Sequence, residues 1–116
     1  MVERDVIEVA HYGWRDWLIQ RVTAVVMLVY TLFFLTVLIA IPQIDYDHWR
    51  ALWRVAIMRY ATMLFVLSML LHAWIGVRNI FMDYVKDTGV RLVLYVLSIL
   101  ALVAYAIWAW QILWGI

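Results

Sequence analysis

In an otherwise apolar chain of 116 residues, one stretch carries side chains able to do chemistry: HAWIGVRNIFMDYVK, from His72 to Lys86. His72 is the sole histidine inside an apolar run; His11 and His48 lie in polar segments. An ionisable group at membrane depth is costly and is kept for function by default. A neutral imidazole ligates haem iron or another metal through one ring nitrogen. Asp83, Tyr84 and Lys86 form a polar cluster where the apolar run ends. A phenol and a carboxylate at that interface can hydrogen-bond or protonate a small lipid-soluble molecule.

Helical phase groups further residues with His72. At about 100° per residue, Phe65, Ser68, His72, Gly76, Asn79 and Asp83 fall near one face. Ser68 and Gly76 sit one turn before and one turn after His72. Small residues there admit either a neighbouring helix or a flat ring system to the backbone. The spacing therefore fits two readings. In one, His72 ligates a cofactor. In the other, the face packs helices and His72 is hydrogen-bonded to a neighbour.

Three apolar spans must position these residues. The composition is 69% hydrophobic, and the mean hydropathy is +0.93. Both values lie far above those of a soluble domain and predict a single all-α membrane domain, residues 1–116. The first span, 22–41, has 20 residues and no charge. At 1.5 Å per residue it covers roughly 30 Å, the thickness of a hydrocarbon core. Pro42 ends it. Thr23, Thr31 and Thr36 within it read as hydroxyls bonded back to their own helix or to a partner helix, not as a site. The second span, 60–77, is bounded by Arg59 and Arg78 and contains His72, with helix able to continue past both arginines. Gly89 is expected to break the chain. The third span, 92–116, has 25 residues and no charge, with Trp108, Trp110 and Trp114 as an aromatic belt at its far end.

The flanking segments read as interface. The N-terminal segment, MVERDVIEVAHYGWRDWLIQR, mixes charges and fits neither a cleaved secretory signal nor an Arg-rich transit peptide. Trp14 and Trp17 read as headgroup-level anchors, and Arg21 as a charge bordering the span. In the loop between spans one and two, Asp45 or Asp47 can cap a short helix. Trp49 and Trp53 are expected to face lipid there, with Arg50 and Arg54 facing water.

With three spans, the N-terminus and the second loop share one side. That side carries Arg4, Arg15, Arg21, Arg78, Lys86 and Arg91, against Arg50, Arg54 and Arg59 on the other. The positive-inside rule then places the N-terminus and the Asp83–Tyr84 cluster in the cytoplasm and the C-terminus in the periplasm. A net charge of +1 gives no field for nucleic acid. With no cysteine, thiolate-held iron–sulfur clusters and covalently attached haem cannot be built from this chain alone. No flavin or nicotinamide fingerprint is present. With one in-span histidine, a haem held by two histidines needs its second ligand from another chain.

HAWIG followed by DYVK, with RVTAVVMLVY at the first span and RLVLYVLSILALVAYAIWAWQILWGI at the third, resembles the hydrophobic membrane anchor (D) subunit family of bacterial succinate dehydrogenase, respiratory complex II. The resemblance runs from about Arg21 to Ile116 and is densest between His72 and Lys86. It implies a multi-pass subunit of the bacterial inner membrane that carries electrons from succinate to ubiquinone in the respiratory chain and the tricarboxylic acid cycle. By the same resemblance, His72 is an axial ligand of haem b and Tyr84 a ubiquinone contact. Asp83 belongs near the quinone site, and Arg21 near the haem propionates. The implied partners are a companion cytochrome b anchor subunit (C), an iron–sulfur subunit and a flavoprotein subunit. Two alternatives stay open: a fumarate reductase anchor, which runs the same couple in reverse, and a non-redox three-helix membrane scaffold.

Overall fold

The computed structural model describes residues 2–115, with side chains described for 13–115. Arg4, counted above for orientation, and Ile116, the end of the expected third span, fall outside the described side chains. The chain is all-helical in the order α1 (Val2–Ala40), α2 (Tyr46–Arg54), α3 (Ala56–Tyr84) and α4 (Thr88–Trp114). Three stretches are long and apolar enough to cross a membrane: Gly13–Ala40, Ala56–Tyr84 and Thr88–Trp114. Each contains the greater part of one expected span and extends beyond it on the N-terminal side.

The ends of the helices follow from local chemistry. α1 stops at Ala40, two residues before Pro42, whose ring cannot continue the ladder. Asp45 caps α2, its carboxylate accepting from the His48 backbone N–H at 2.9 Å and from the His48 ring Nδ1 at 2.7 Å. Both bonds favour the ionised carboxylate, and the backbone bond contributes most, so Asp45 is held below the usual carboxylate range. α3 runs unbroken from Ala56 through Arg59 and Arg78 to Tyr84. The break before α4 falls earlier than expected, at residues 85–87, because the Asp87 carboxylate accepts from the Gly89 N–H at 3.1 Å. Gly89 therefore lies inside the first turn of α4 rather than breaking the chain.

α3 is the middle of the bundle. It packs against α1 on one side and α4 on the other, with α2 against its start. The α1–α3 seam is antiparallel and built on every seventh residue of α1. Each of Asp16, Thr23 and Tyr30 lies within about 20° of the next around the helix. Asp16 pairs with Arg78. Thr23 meets His72. Tyr30 hydrogen-bonds Thr62 at 2.5 Å and stacks on Phe65 at a centroid distance of 4.6 Å. In lipid no hydrophobic force drives helices together, so such contacts, each about 0.6 kcal/mol on average, set register more than they add stability.

The α3–α4 seam is aromatic, with Tyr95 against Trp74 and Phe81. The only buried apolar cluster among the described residues, Trp53, Met58 and Leu113, lies where α2 meets the start of α3 and the end of α4. Trp53 is thus turned inward, edge-on to Trp49 and beside Phe34. This corrects the expectation that it faces lipid: α2 lies back on the bundle, so one of its aromatics closes the core. Trp49 packs against Phe34 and Trp53 and keeps 41% of its surface exposed.

Candidate functional site

His72 sits midway along α3, where the helix is fixed on both sides by neighbours. Its Nδ1 lies 3.0 Å from the Thr23 hydroxyl of α1. That hydroxyl also lies 2.7 Å from the Ile19 carbonyl, one turn back on its own helix. A hydroxyl has one proton to give and two lone pairs to offer. The carbonyl can only accept, so the proton goes to Ile19 and the oxygen accepts from Nδ1–H. That assignment corresponds to the Nδ1–H tautomer, which carries its lone pair on Nε2. Among the described residues only Nδ1 of this ring finds a hydrogen-bond partner.

The bond to Thr23 is what a helix-packing histidine would make, and it leaves unused the nitrogen that a metal needs. The surroundings bear on which use follows. Ser68, one turn before His72, is buried in the bundle. At Gly76, one turn after, a Cβ would meet nothing within 4 Å. The face is closed on one side of His72 and open on the other, where a flat ring could approach the backbone. Among the described residues no three His, Cys, Asp or Glu side chains converge on a point. A bare metal ion would therefore be poorly held. A haem brings four ring nitrogens and asks the chain for a single axial one. The donor set fits haem better than a free cation.

Tyr84 is the last residue of α3 and 80% exposed. Asp83 beside it is also exposed. Because α3 is continuous, Tyr84 lies about 18 Å along the axis from His72. The two belong to separate parts of the surface, one within the span and one at its end. Arg21 is exposed, with its guanidinium 5.6 Å from the centre of the Trp17 ring. Two residues from Thr23, it points about 160° away from the α1–α3 seam. His48, in the first turn of α2, is tied to the Asp45 cap.

The residue missed by the sequence reading is Thr23, grouped there with Thr31 and Thr36 as a hydroxyl bonded to its own helix or to a partner helix and not as a site residue. All three do bond the carbonyl four residues back. Only Thr23 is buried, at 5% exposure, and only Thr23 also reaches α3. Its place on the seven-residue spacing with Asp16 and Tyr30 was the available signal.

Three long apolar helices, with an imidazole nitrogen left free inside the membrane and a phenol at its edge, define a small multi-pass membrane protein. Residues 4–109 match the succinate dehydrogenase/fumarate reductase transmembrane subunit family, and the chain belongs to that family. It is 43% identical over 102 residues to the succinate dehydrogenase hydrophobic membrane anchor subunit of Coxiella burnetii (strain RSA 493 / Nine Mile phase I), covering 88% of this chain and 89% of that one. The expected family resemblance therefore holds over nearly the whole chain: this is a transmembrane anchor subunit.

Proposed function

We propose that this chain is the D-type membrane anchor of a succinate:ubiquinone oxidoreductase of the bacterial inner membrane, and that His72 is one axial ligand of haem b. The observation that carries the reading is the free Nε2 of His72, beside the open backbone at Gly76. The second axial ligand comes from a companion anchor subunit, since no other span of this chain holds a histidine. When bound, haem supplies a one-electron carrier inside the membrane.

Tyr84 and Asp83 serve ubiquinone at the cytoplasmic interface. Reduction of a quinone takes two electrons and two protons and builds negative charge on its oxygens. The Tyr84 hydroxyl donates a hydrogen bond to one of them. Asp83 orients or relays a proton through water. The resemblance also puts Arg21 near the haem propionates; its guanidinium lies over Trp17, about 160° around α1 from the α1–α3 seam, so this structure adds no support for that role. The iron–sulfur and flavoprotein subunits dock on the face of Tyr84 and Asp83, which the charge count assigns to the cytoplasm.

The test is His72→Ala in the complete, detergent-purified complex. Haem b is expected to be lost or to change its absorption spectrum and potential, while the other subunits still co-purify. An unchanged spectrum and potential would remove His72 from the haem.

A further inference from the structure

We propose that Thr23 is a positioning residue for His72: its hydroxyl accepts the Nδ1 proton, fixes the imidazole tautomer and ring angle, and so tunes the haem that Nε2 serves. The inference rests on the haem reading above and extends it to a residue of α1.

Four observations converge. The hydroxyl proton is committed to the Ile19 carbonyl at 2.7 Å, so the oxygen facing His72 acts as an acceptor. An oxygen that is itself donating is a more polarised acceptor, so the two bonds strengthen one another. Thr23 is 5% exposed, which keeps water and lipid headgroups from competing for the ring proton. Its β-branched side chain, held by the backbone bond, has little rotameric freedom. On either side the seam is fastened by Asp16–Arg78 and Tyr30–Thr62, so Thr23 cannot slide along α3 away from His72. Thr31 and Thr36 make the same backward bond on exposed faces and have no partner across the bundle among the described residues.

The chemical consequence is directional. A ligating imidazole that donates its other N–H to an acceptor becomes more basic, and the ring is held in one orientation. A more electron-rich ligand favours the oxidised metal. Removing the acceptor is therefore expected to raise the haem midpoint potential.

The experiment compares Thr23→Val, Thr23→Ser and His72→Ala in the complete purified complex by redox titration of haem b, low-spin electron paramagnetic resonance and haem content. Thr23→Val keeps the branched shape and removes the hydroxyl. It is expected to raise the midpoint potential, change the resonance anisotropy and weaken haem retention on the order of 10-fold. Thr23→Ser keeps the hydroxyl and is expected to restore values near wild type. Should Thr23→Val not assemble, Thr23→Ala is read in the same way. A potential and a resonance spectrum unchanged in the hydroxyl-free variant, or shifted as far in Thr23→Ser, would overturn the role of Thr23. If that happens while His72→Ala still perturbs the haem, the ligand assignment stands alone. If His72→Ala leaves the haem as in wild type, the ligand assignment falls, and Thr23 with it.

Discussion

A single ring connects the two helices on which the site depends, and its two nitrogens have separate duties. Nδ1 meets Thr23 across the α1–α3 seam, and Nε2 has no hydrogen-bond partner among the described residues. Tyr84 can be tested independently, because about 18 Å of helix separates it from His72. Tyr84→Phe keeps the aromatic ring and removes the hydroxyl. Ubiquinone reduction is expected to fall by about 10²–10³, the worth of a donor to a developing oxyanion. Dye reduction by the soluble subunits and haem content are expected to stay at wild-type level. Paired assays on the same membranes check this, and full quinone activity in Tyr84→Phe would return the residue to a plain interfacial anchor. His72 stood out in the sequence because a lone ionisable group in an apolar span is costly. Thr23 was not, since a threonine in a membrane helix bonds its own backbone in any case. Its second bond exists only once α1 and α3 are set in register.

Among the elements, α1 and α3 are held at the end nearer Tyr84 by Asp16 and Arg78, both partly buried. Asp16→Ala leaves the guanidinium without its partner. The expected cost is about 1–3 kcal/mol, between that of an exposed pair and that of a fully buried one. Thermal unfolding of the detergent-solubilised complex measures it, and the exchange pair Asp16→Arg with Arg78→Asp is expected to recover most of the loss. α2 depends on a different carboxylate. The Asp45 pKa is lowered in the folded state, so the cap contributes fully above the ordinary aspartate range and fades as pH falls through the lowered folded value. Asp45→Asn keeps a capping oxygen without the charge. Its deficit in Tm relative to wild type is expected to shrink as the pH is taken into the acid range, and a deficit constant with pH would contradict the charged cap. The sequence showed that a cap lay at Asp45 or Asp47. It did not show that Trp53 turns inward, because an aromatic at an interface has the same period whether it faces lipid or a neighbouring helix. The early break before Gly89 was hidden for a related reason: an Asp two residues ahead of a glycine can cap a helix as readily as end one.

At the scale of the whole molecule, three spans were plain from the charge-free runs alone, whereas their order in space, with α3 between the other two, was not written in any one of them. The orientation rests on six Lys and Arg residues against three. The chain has no cysteine, so single cysteines report sidedness cleanly. In intact cells with a permeabilised outer membrane, Arg54→Cys is expected to react with an impermeant maleimide. Lys86→Cys is expected to react only after the inner membrane is opened. The reverse pattern would invert the topology and move Tyr84 to the periplasmic side. The bundle leaves most of its apolar surface uncovered, with Leu28, Leu32, Leu100 and Ile107 all exposed; lipid or companion chains must cover these faces. The seven-residue spacing of Asp16, Thr23 and Tyr30 makes α1 a toothed edge read by α3. Adding one residue to α1 between Thr23 and Tyr30 rotates everything on one side of it by about 100°, so the teeth can mesh above the insertion or below it but not on both sides at once. Adding seven residues restores the phase, to within about 20°, and lengthens the helix by about 10.5 Å. The chain thus tolerates errors of rotation far less than its uniform greasiness suggests, and the place where such an error is felt is the nitrogen of one histidine.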